Sequence, residues 1–327
     1  MEIKHTGKRR WRGPLAFAVM LLVFWLLARE LDWGEAFRAL RRADYLWVAL
    51  GTLAIVATFF TRVWRWQALL WWATLHFGPA LAAMLIGQAA NLFLPMRGGD
   101  AVRAVWIDPE PDVAIPEALG TVVLEKVWDL IGLLLCGLLL LPLMSLPAWF
   151  TQSAVWTGLL VLGVCAALWA GLRWQETLFR WVMAVLTRFP LGWDATVLPW
   201  LRQLTQGVES LRDAGASGRA FLWTLATWGL GVASNWAVMA AFGVRSVPAA
   251  LLLMAALMVG GAAIPTPGRL GVFEGICVVV LGGFDVPGDV ALAIGLVLHL
   301  VVMGPPLLAA ALLSYRYPII RGADGTA

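Results

Sequence analysis

The sequence predicts an all-α polytopic membrane protein, with about six full transmembrane helices and two broken, re-entrant hairpins in an inverted repeat. Three observations carry this. Of 327 residues, 61% are hydrophobic and 13% charged, about half the charged fraction of an average soluble domain, and the mean hydropathy is +0.81. Apolar runs able to cross a bilayer recur at Leu15–Ala28, Leu46–Thr61, Ala118–Leu141, Val155–Leu172, Ala220–Phe242 and Val290–Leu313. Two further apolar stretches break on Pro and Gly in the same way, one in each half of the chain. Soluble folds and nucleic-acid binding are excluded at this point.

Leu15–Ala28 follows Lys4, Lys8, Arg9, Arg10 and Arg12 and has no small-residue cleavage site before Arg29-Glu30-Leu31-Asp32, so it reads as a retained first span. The Lys/Arg bias of the loops sets orientation. The N-terminus, the segment Arg173–Arg219 and the tail with Arg316 and Arg321 are basic, whereas Met144–Gln152 and Asp285–Asp289 contain no Lys or Arg. The first group, both termini included, is therefore expected in the cytoplasm and the second outside, in an inner membrane. Arg29–Asp44 falls outside in this scheme, its four Arg balanced by four acidic residues on an interfacial amphipathic helix. The abundance of Trp, 20 against 3 Tyr, suits interfacial belts such as Trp64-Arg65-Trp66 and Trp71-Trp72.

This orientation makes Ala80–Pro95 dip in from the cytoplasm and Leu251–Gly283 from outside. The chain then reads as one integral membrane domain over 1–327. Residues 1–141 form the first repeat and 152–314 the second, with a cytoplasmic amphipathic segment at 175–217. There Phe179, Val182, Met183 and Leu186 share a face, and Pro190 and Pro199 divide the segment. Pro95 precedes Asp129 by the same distance as Pro265 precedes His299, which supports the repeat. Full passage of both broken stretches, giving eight spans, is the alternative that hydropathy leaves open.

Broken backbone at bilayer depth survives only inside protein or beside a wet cavity, so the two breaks point to a transport site. The first runs from Gly87–Asn91 through Pro95 and Arg97-Gly98-Gly99-Asp100 to Arg103. Its guanidiniums and glycine-freed N–H groups suit a phosphate, and Arg62, Arg65 and Asn91 are candidates to add to it. The second runs through Pro265, Pro267, Gly268 and Gly271 to Glu274, which is placed to cap the next helix or meet Arg269. Charges at bilayer depth cost about 2.5–3.5 kcal/mol each, which singles out Glu125, Lys126 and Asp129. Lys126 and Asp129 are spaced i, i+3 and can pair, with Arg97 or Arg103 supplying a further charge. The trio reads either as a packing device or as a polar path; His299 joins that path or is a packing residue. Cys136, Cys165 and Cys277 read as packing residues, with no disulfide, metal or cofactor implied.

Four ordered motifs, Arg62-x2-Arg65-Trp66, Asn91-x3-Pro95-x-Arg97-x-Gly99-Asp100-x2-Arg103, Glu125-Lys126-x2-Asp129 and Pro265-x-Pro267-Gly268-x2-Gly271-x2-Glu274, resemble the flippase-like family typified by the membrane domain of lysylphosphatidylglycerol synthase. The resemblance covers nearly the whole chain. It implies a bacterial or archaeal membrane protein that moves or handles lipids, with relatives associated with hopanoids and dolichol-linked sugars. Three positions depart from the pattern: Asp100 for an expected Glu, Lys126 for an expected Arg, and Arg269 for an expected Gly. The soluble aminoacyltransferase domain is not expected in this sequence, which ends soon after the last apolar run.

The expected function is translocation of a phosphate-bearing or glycosylated lipid, with no catalytic residue singled out and membrane lipids as the partners. The alternatives are an intramembrane transferase acting on a polyprenyl-linked or phospholipid substrate, and an accessory subunit of a lipid-modifying enzyme. The acidic run Asp108-Pro-Glu110-Pro-Asp112 reads as a stiff loop rather than a ligand set for a metal-bound diphosphate.

Overall fold

A computed structural model describes residues 33–94, 98–106, 113–144, 148–186, 194–263 and 267–316. The expected first span at 15–28 lies outside these residues, as do Pro95, Arg97, Pro190 and Pro265. The described residues form twelve α-helices and two short 3₁₀ turns, with no strand. In chain order the helices are α1 (Trp33–Arg42), α2 (Tyr45–Leu69), α3 (Phe77–Phe93), α4 (Gly99–Trp106), α5 (Ile115–Leu140), α6 (Ala148–Arg173), α7 (Gln175–Leu186), α8 (Asp194–Gln206), α9 (Ala214–Ala241), α10 (Val247–Ala263), α11 (Val272–Gly282) and α12 (Gly288–Arg316).

Five of these, α2, α5, α6, α9 and α12, have 25 to 29 residues. At 1.5 Å per residue each exceeds the roughly 30 Å of a hydrocarbon core. Tyr45–Leu69 and Gly288–Leu313 also carry high mean hydropathy, 1.8 and 2.2. In α5 the three charges Glu125, Lys126 and Asp129 interrupt an otherwise apolar face. The chain is an all-α membrane protein.

The centre is an antiparallel pair, α2 against α9. An Asp caps each: Asp44 accepts from the Leu46 N–H, and Asp213 from the Ala216 N–H. Between them Thr61 and Thr227 share a hydroxyl hydrogen bond of 2.7 Å, and Trp64 packs on Trp223. Apolar side chains of α2, α3, α9, α10, α11 and α12 fill the largest core, around Phe59, Met239, Leu253, Phe273 and Leu298.

Both broken stretches are helical hairpins. The long arms α3 and α10 each have 17 residues, and Val247 follows Phe77 by the same 170 residues as Ala263 follows Phe93. The short arms have 8 and 11 residues, roughly 12 and 17 Å, too short to cross the core alone. Contacts between halves are reciprocal: α3 packs on α12, and α10 on α5.

The amphipathic segment forms α7 and α8. Phe179 is buried, and the Arg202 guanidinium lies 5.6 Å from its ring centroid, tying the two helices together. Pro199 does not divide the segment; it sits inside α8. It falls in the second turn, so its missing donor removes a single bond next to the helix start.

The first hairpin closes because two glycines meet. A Cβ at Gly99 would run into the carbonyl oxygen of Gly87 and the backbone and side chain of Asn91. Gly99→Ala is therefore expected to lower stability in detergent by about 1–3 kcal/mol through overpacking. Gly137→Ala in α5, where a Cβ meets nothing within 4 Å, is expected to be neutral or stabilising by up to about 1 kcal/mol. Thermal melts of the two variants check the contrast.

Candidate functional site

Four helices bring polar side chains to one cavity, and each does so through residues spaced on a single helical face. α2 supplies Arg62 and Arg65, α3 supplies Met84, Gly87 and Gln88, α4 supplies Asp100 and Arg103, and α5 supplies Glu125, Lys126 and Asp129. The free space at the centre is about 20 Å³, room for about one water-sized group.

Ion pairs between helices close the site. Arg65 donates to Asp129 at 2.8 Å, Arg103 to Glu125 at 3.0 Å, and Lys126 meets Asp100 at 2.6 Å. α2 and α4 thus offer each α5 charge a partner facing it across the interface, in addition to the i, i+3 spacing of Lys126 and Asp129 within α5. The first two pairs are buried, and the third reaches the half-exposed edge of the cavity.

Arg103 is held on every side. Its guanidinium carbon lies 4.3 Å from the centroid of the Trp66 ring, and one Nη donates to Met84 Sδ at 3.2 Å. Trp66 is itself fixed, donating through Nε1 to Thr121 Oγ1 at 2.9 Å. Arg65 also reaches Thr224 on α9 at 3.4 Å. Asn91 donates to Asp100 at 3.1 Å, so it orients the carboxylate that holds Lys126. Gly98 opens the helix, its carbonyl accepting from Ala101 and Val102.

Not every polar atom is satisfied. Nε of Arg65, Nε of Arg103 and Oε1 of Glu125 are buried with no hydrogen-bond partner among the described residues. Buried polar groups are ordinarily paired, so donors and an acceptor left over around one cavity make a site that can take a polar guest. Among the described residues that line the cavity, four are cations and three are carboxylates.

The structure thus gathers Arg62, Arg65, Arg103, Glu125, Lys126 and Asp129, with Asn91, Gly98 and Gly99 shaping the hairpin beside them. It does not bring His299 to this cavity. His299 lies on α12 against Glu274 at 2.6 Å, and Glu274 also accepts the Gly271 N–H at 2.8 Å, the cap expected of it. The Arg269 guanidinium lies against the bare backbone of Gly261. Sequence reasoning passed over Met84, Gln88 and Thr224, which carry no charge. It gave Asp100 no role of its own, although its spacing of three from Arg103 was a usable signal.

A polytopic helical protein with a charged cavity between spanning helices and a broken hairpin is what fold and site define. Residues 14–310 match the lysylphosphatidylglycerol synthase TM region, and the chain belongs to that family. Over 311 residues, 84% of this chain, it is 26% identical to a protein of Haloferax volcanii named glycosyltransferase AglD, and it spans 49% of that protein's length. No solved structure matches the chain.

Asp100 and Lys126, two of the three positions that depart from the family pattern, are partners. Asp100→Glu and Lys126→Arg are each expected to cost about 1–3 kcal/mol, because one lengthened or forked side chain no longer fits the 2.6 Å pair. The double variant is expected to return to within about 0.5 kcal/mol of the parent. Thermal melting of the four proteins measures the coupling.

Proposed function

We propose that the protein is a lipid translocator that moves a phosphate-bearing or glycosylated lipid across a bacterial cytoplasmic membrane. The cavity carries this reading: a cation-lined site with unsatisfied donors, built on spanning helices and a broken hairpin. Arginine forks suit a phosphate, which would compete with Glu125 and Asp129 for Arg103 and Arg65. With about 20 Å³ free, a headgroup enters only when α4 and α5 separate, so the ion pairs act as the closed state of the path.

The equal long arms and the reciprocal packing of α3 on α12 and α10 on α5 support an inverted repeat. The short arms, below spanning length, favour six spans with two re-entrant hairpins of opposite polarity over eight spans. In this topology both termini are cytoplasmic. Cysteines at Ser145 and Asp289 are expected to label from outside and one at Thr205 only after permeabilisation. Labelling of Ser145 and Thr205 from one side would remove the inverted repeat.

The name of the archaeal relative favours a second reading, in which the chain serves glycosyl transfer to a lipid carrier. The two readings differ in product. In vesicles containing a headgroup-labelled phospholipid, a translocator equilibrates the label between leaflets without changing it chemically. Arg62→Ala, at unchanged melting temperature, is expected to slow that exchange about tenfold, the effect of losing one charge-assisted hydrogen bond. Exchange no faster than in protein-free vesicles, across lipids drawn from the native membrane, would sink the translocator reading.

A further inference from the structure

A second group of ionisable side chains lies at the tip of the second hairpin, away from the cavity. Glu274 begins α11 and His299 lies midway along α12; both are buried. Glu274 Oε2 accepts the Gly271 N–H at 2.8 Å. Glu274 Oε1 lies 2.6 Å from His299 Nδ1, and His299 Nε2 lies 2.9 Å from the carbonyl oxygen of Gly268.

These contacts fix the number of protons. A carbonyl oxygen only accepts, so Nε2 carries a hydrogen. Nδ1 and Oε1 at 2.6 Å would then face each other with lone pairs unless a proton lies between them. A proton on Oε2 would not relieve this, because it would not lie between Oε1 and Nδ1. The pair therefore contains one proton on Nε2 and one shared between ring and carboxyl. On either atom the shared proton leaves the pair neutral.

We infer that Glu274 and His299 form a proton-binding site whose bound proton holds the tip of the second hairpin against α12. The tip depends on this pair at both ends of its turn, through the Gly268 carbonyl and the Gly271 N–H. Within that turn Gly268, Arg269 and Gly271 have φ of 63°, 57° and 77°, values that the glycines adopt freely and Arg269 only at a steric cost. Without the proton a carboxylate faces a neutral ring lone pair, with the Phe273 ring 5.0 Å from the imidazole.

The surrounding helices offer little to replace it. α3 and α10 carry no charged residue, and α11 carries only Glu274. On α12 the other charges are Asp289 and Arg316, at its two ends. Arg269 on the tip lies against Gly261, and Cys277 follows Glu274 by one turn. Arg62 and Arg65 of α2 line the cavity, Arg219 is in the second turn of α9, and Glu35, Arg38, Arg41 and Arg42 belong to α1.

The tip also packs on α3, whose Gly87 and Gln88 line the cavity. Proton loss that frees the tip therefore reaches the cavity wall through α3. This inference stands apart from the lipid reading, because proton occupancy and tip order are measured without any lipid transport.

The chain has three histidines, so a ¹⁵N-histidine spectrum of the full-length protein in lipid is simple, and His299→Asn assigns the signal. Near neutral pH the expected result is a protonated Nε2 together with an Nδ1 displaced from the bare lone-pair position. An ordinary neutral ring, with hydrogen on Nδ1 and a bare Nε2, would overturn the site.

Glu274→Gln supplies the functional control. Its amide oxygen can accept from Gly271 and its NH₂ can donate to Nδ1, so the tip is held without a shared proton. Amide exchange over 268–276 is expected to accelerate about tenfold in the wild type relative to Glu274→Gln as pH rises from about 5 to 9. Taking the ratio to the Gln variant removes the intrinsic pH dependence of exchange. Equal rates in the two proteins throughout that range would overturn the latch. Glu274→Ala tests the same point from the other side, with fast exchange expected at every pH; exchange as slow as in the Gln variant also overturns it.

Discussion

Three charges on one apolar helix are the constraint on which the rest of the site depends. Glu125, Lys126 and Asp129 sit on consecutive turns of α5, and no single neighbour can satisfy them. An uncompensated buried charge costs several kcal/mol, so each must be met by a counter-charge from another helix. α2 reaches Asp129 with Arg65, while α4 reaches Glu125 with Arg103 and Lys126 with Asp100. α4 has only eight residues and little apolar surface with which to fix itself. Its position follows from the two ion pairs on one side and the glycine contact with α3 on the other. The return of the chain in α4 is thus what carries Asp100 and Arg103 to the charges on α5, and those charges are what keep α4 in place.

The two halves share a plan and differ in chemistry. A 17-residue arm and a shorter returning arm occur in each, and each long arm packs on the spanning helix of the other half. In the first half the short arm is tied down by full charges. In the second, one hydrogen-bonded carboxylate and one imidazole do the same work with no net charge. Asp129 and His299 stand at equivalent distances from their hairpin prolines, yet one faces an arginine and the other a glutamate. A cavity with fixed charge beside a hairpin held by a removable proton gives the molecule one permanent and one adjustable fastening.

Much of this was legible in the sequence because hydropathy and Pro/Gly interruption are local signals. The spans at 46–61, 155–172 and 290–313 fall within observed helices, and those at 118–141 and 220–242 overrun theirs by one residue at the C-terminal end. Arg62, Arg65, Arg103, Glu125 and Asp129 could be picked out because a charge in an apolar run is conspicuous. Arg103 could also be named as a counter-charge to the α5 trio, and it meets Glu125; the other pairings depend on which helix lies opposite which. The i, i+3 rule suggested Lys126 with Asp129, and tertiary packing brings a further partner to each, Asp100 to Lys126 and Arg65 to Asp129. Pro199 misled for the opposite reason: a proline near a helix start breaks little. His299 was visible as an ionisable residue, but its distance from the cavity depends on the fold of the second hairpin.

The departures from the family pattern now have separate physical explanations. Asp100 and Lys126 form a single contact, so a shorter acid and an unforked base count as one change rather than two. Arg269 is different, because its φ of 57° lies where glycine is free of steric cost and every other residue is not. The pattern's glycine at that position is what such a backbone favours. The arginine is accommodated because Gly261, lacking a side chain, lets the guanidinium lie against the opposite arm. A cation is thereby fixed inside the second hairpin, close to the turn that the Glu274–His299 proton holds. Any movement of that tip must carry this charge with it, so the departure with the least obvious cause adds charge to the part of the fold best placed to move.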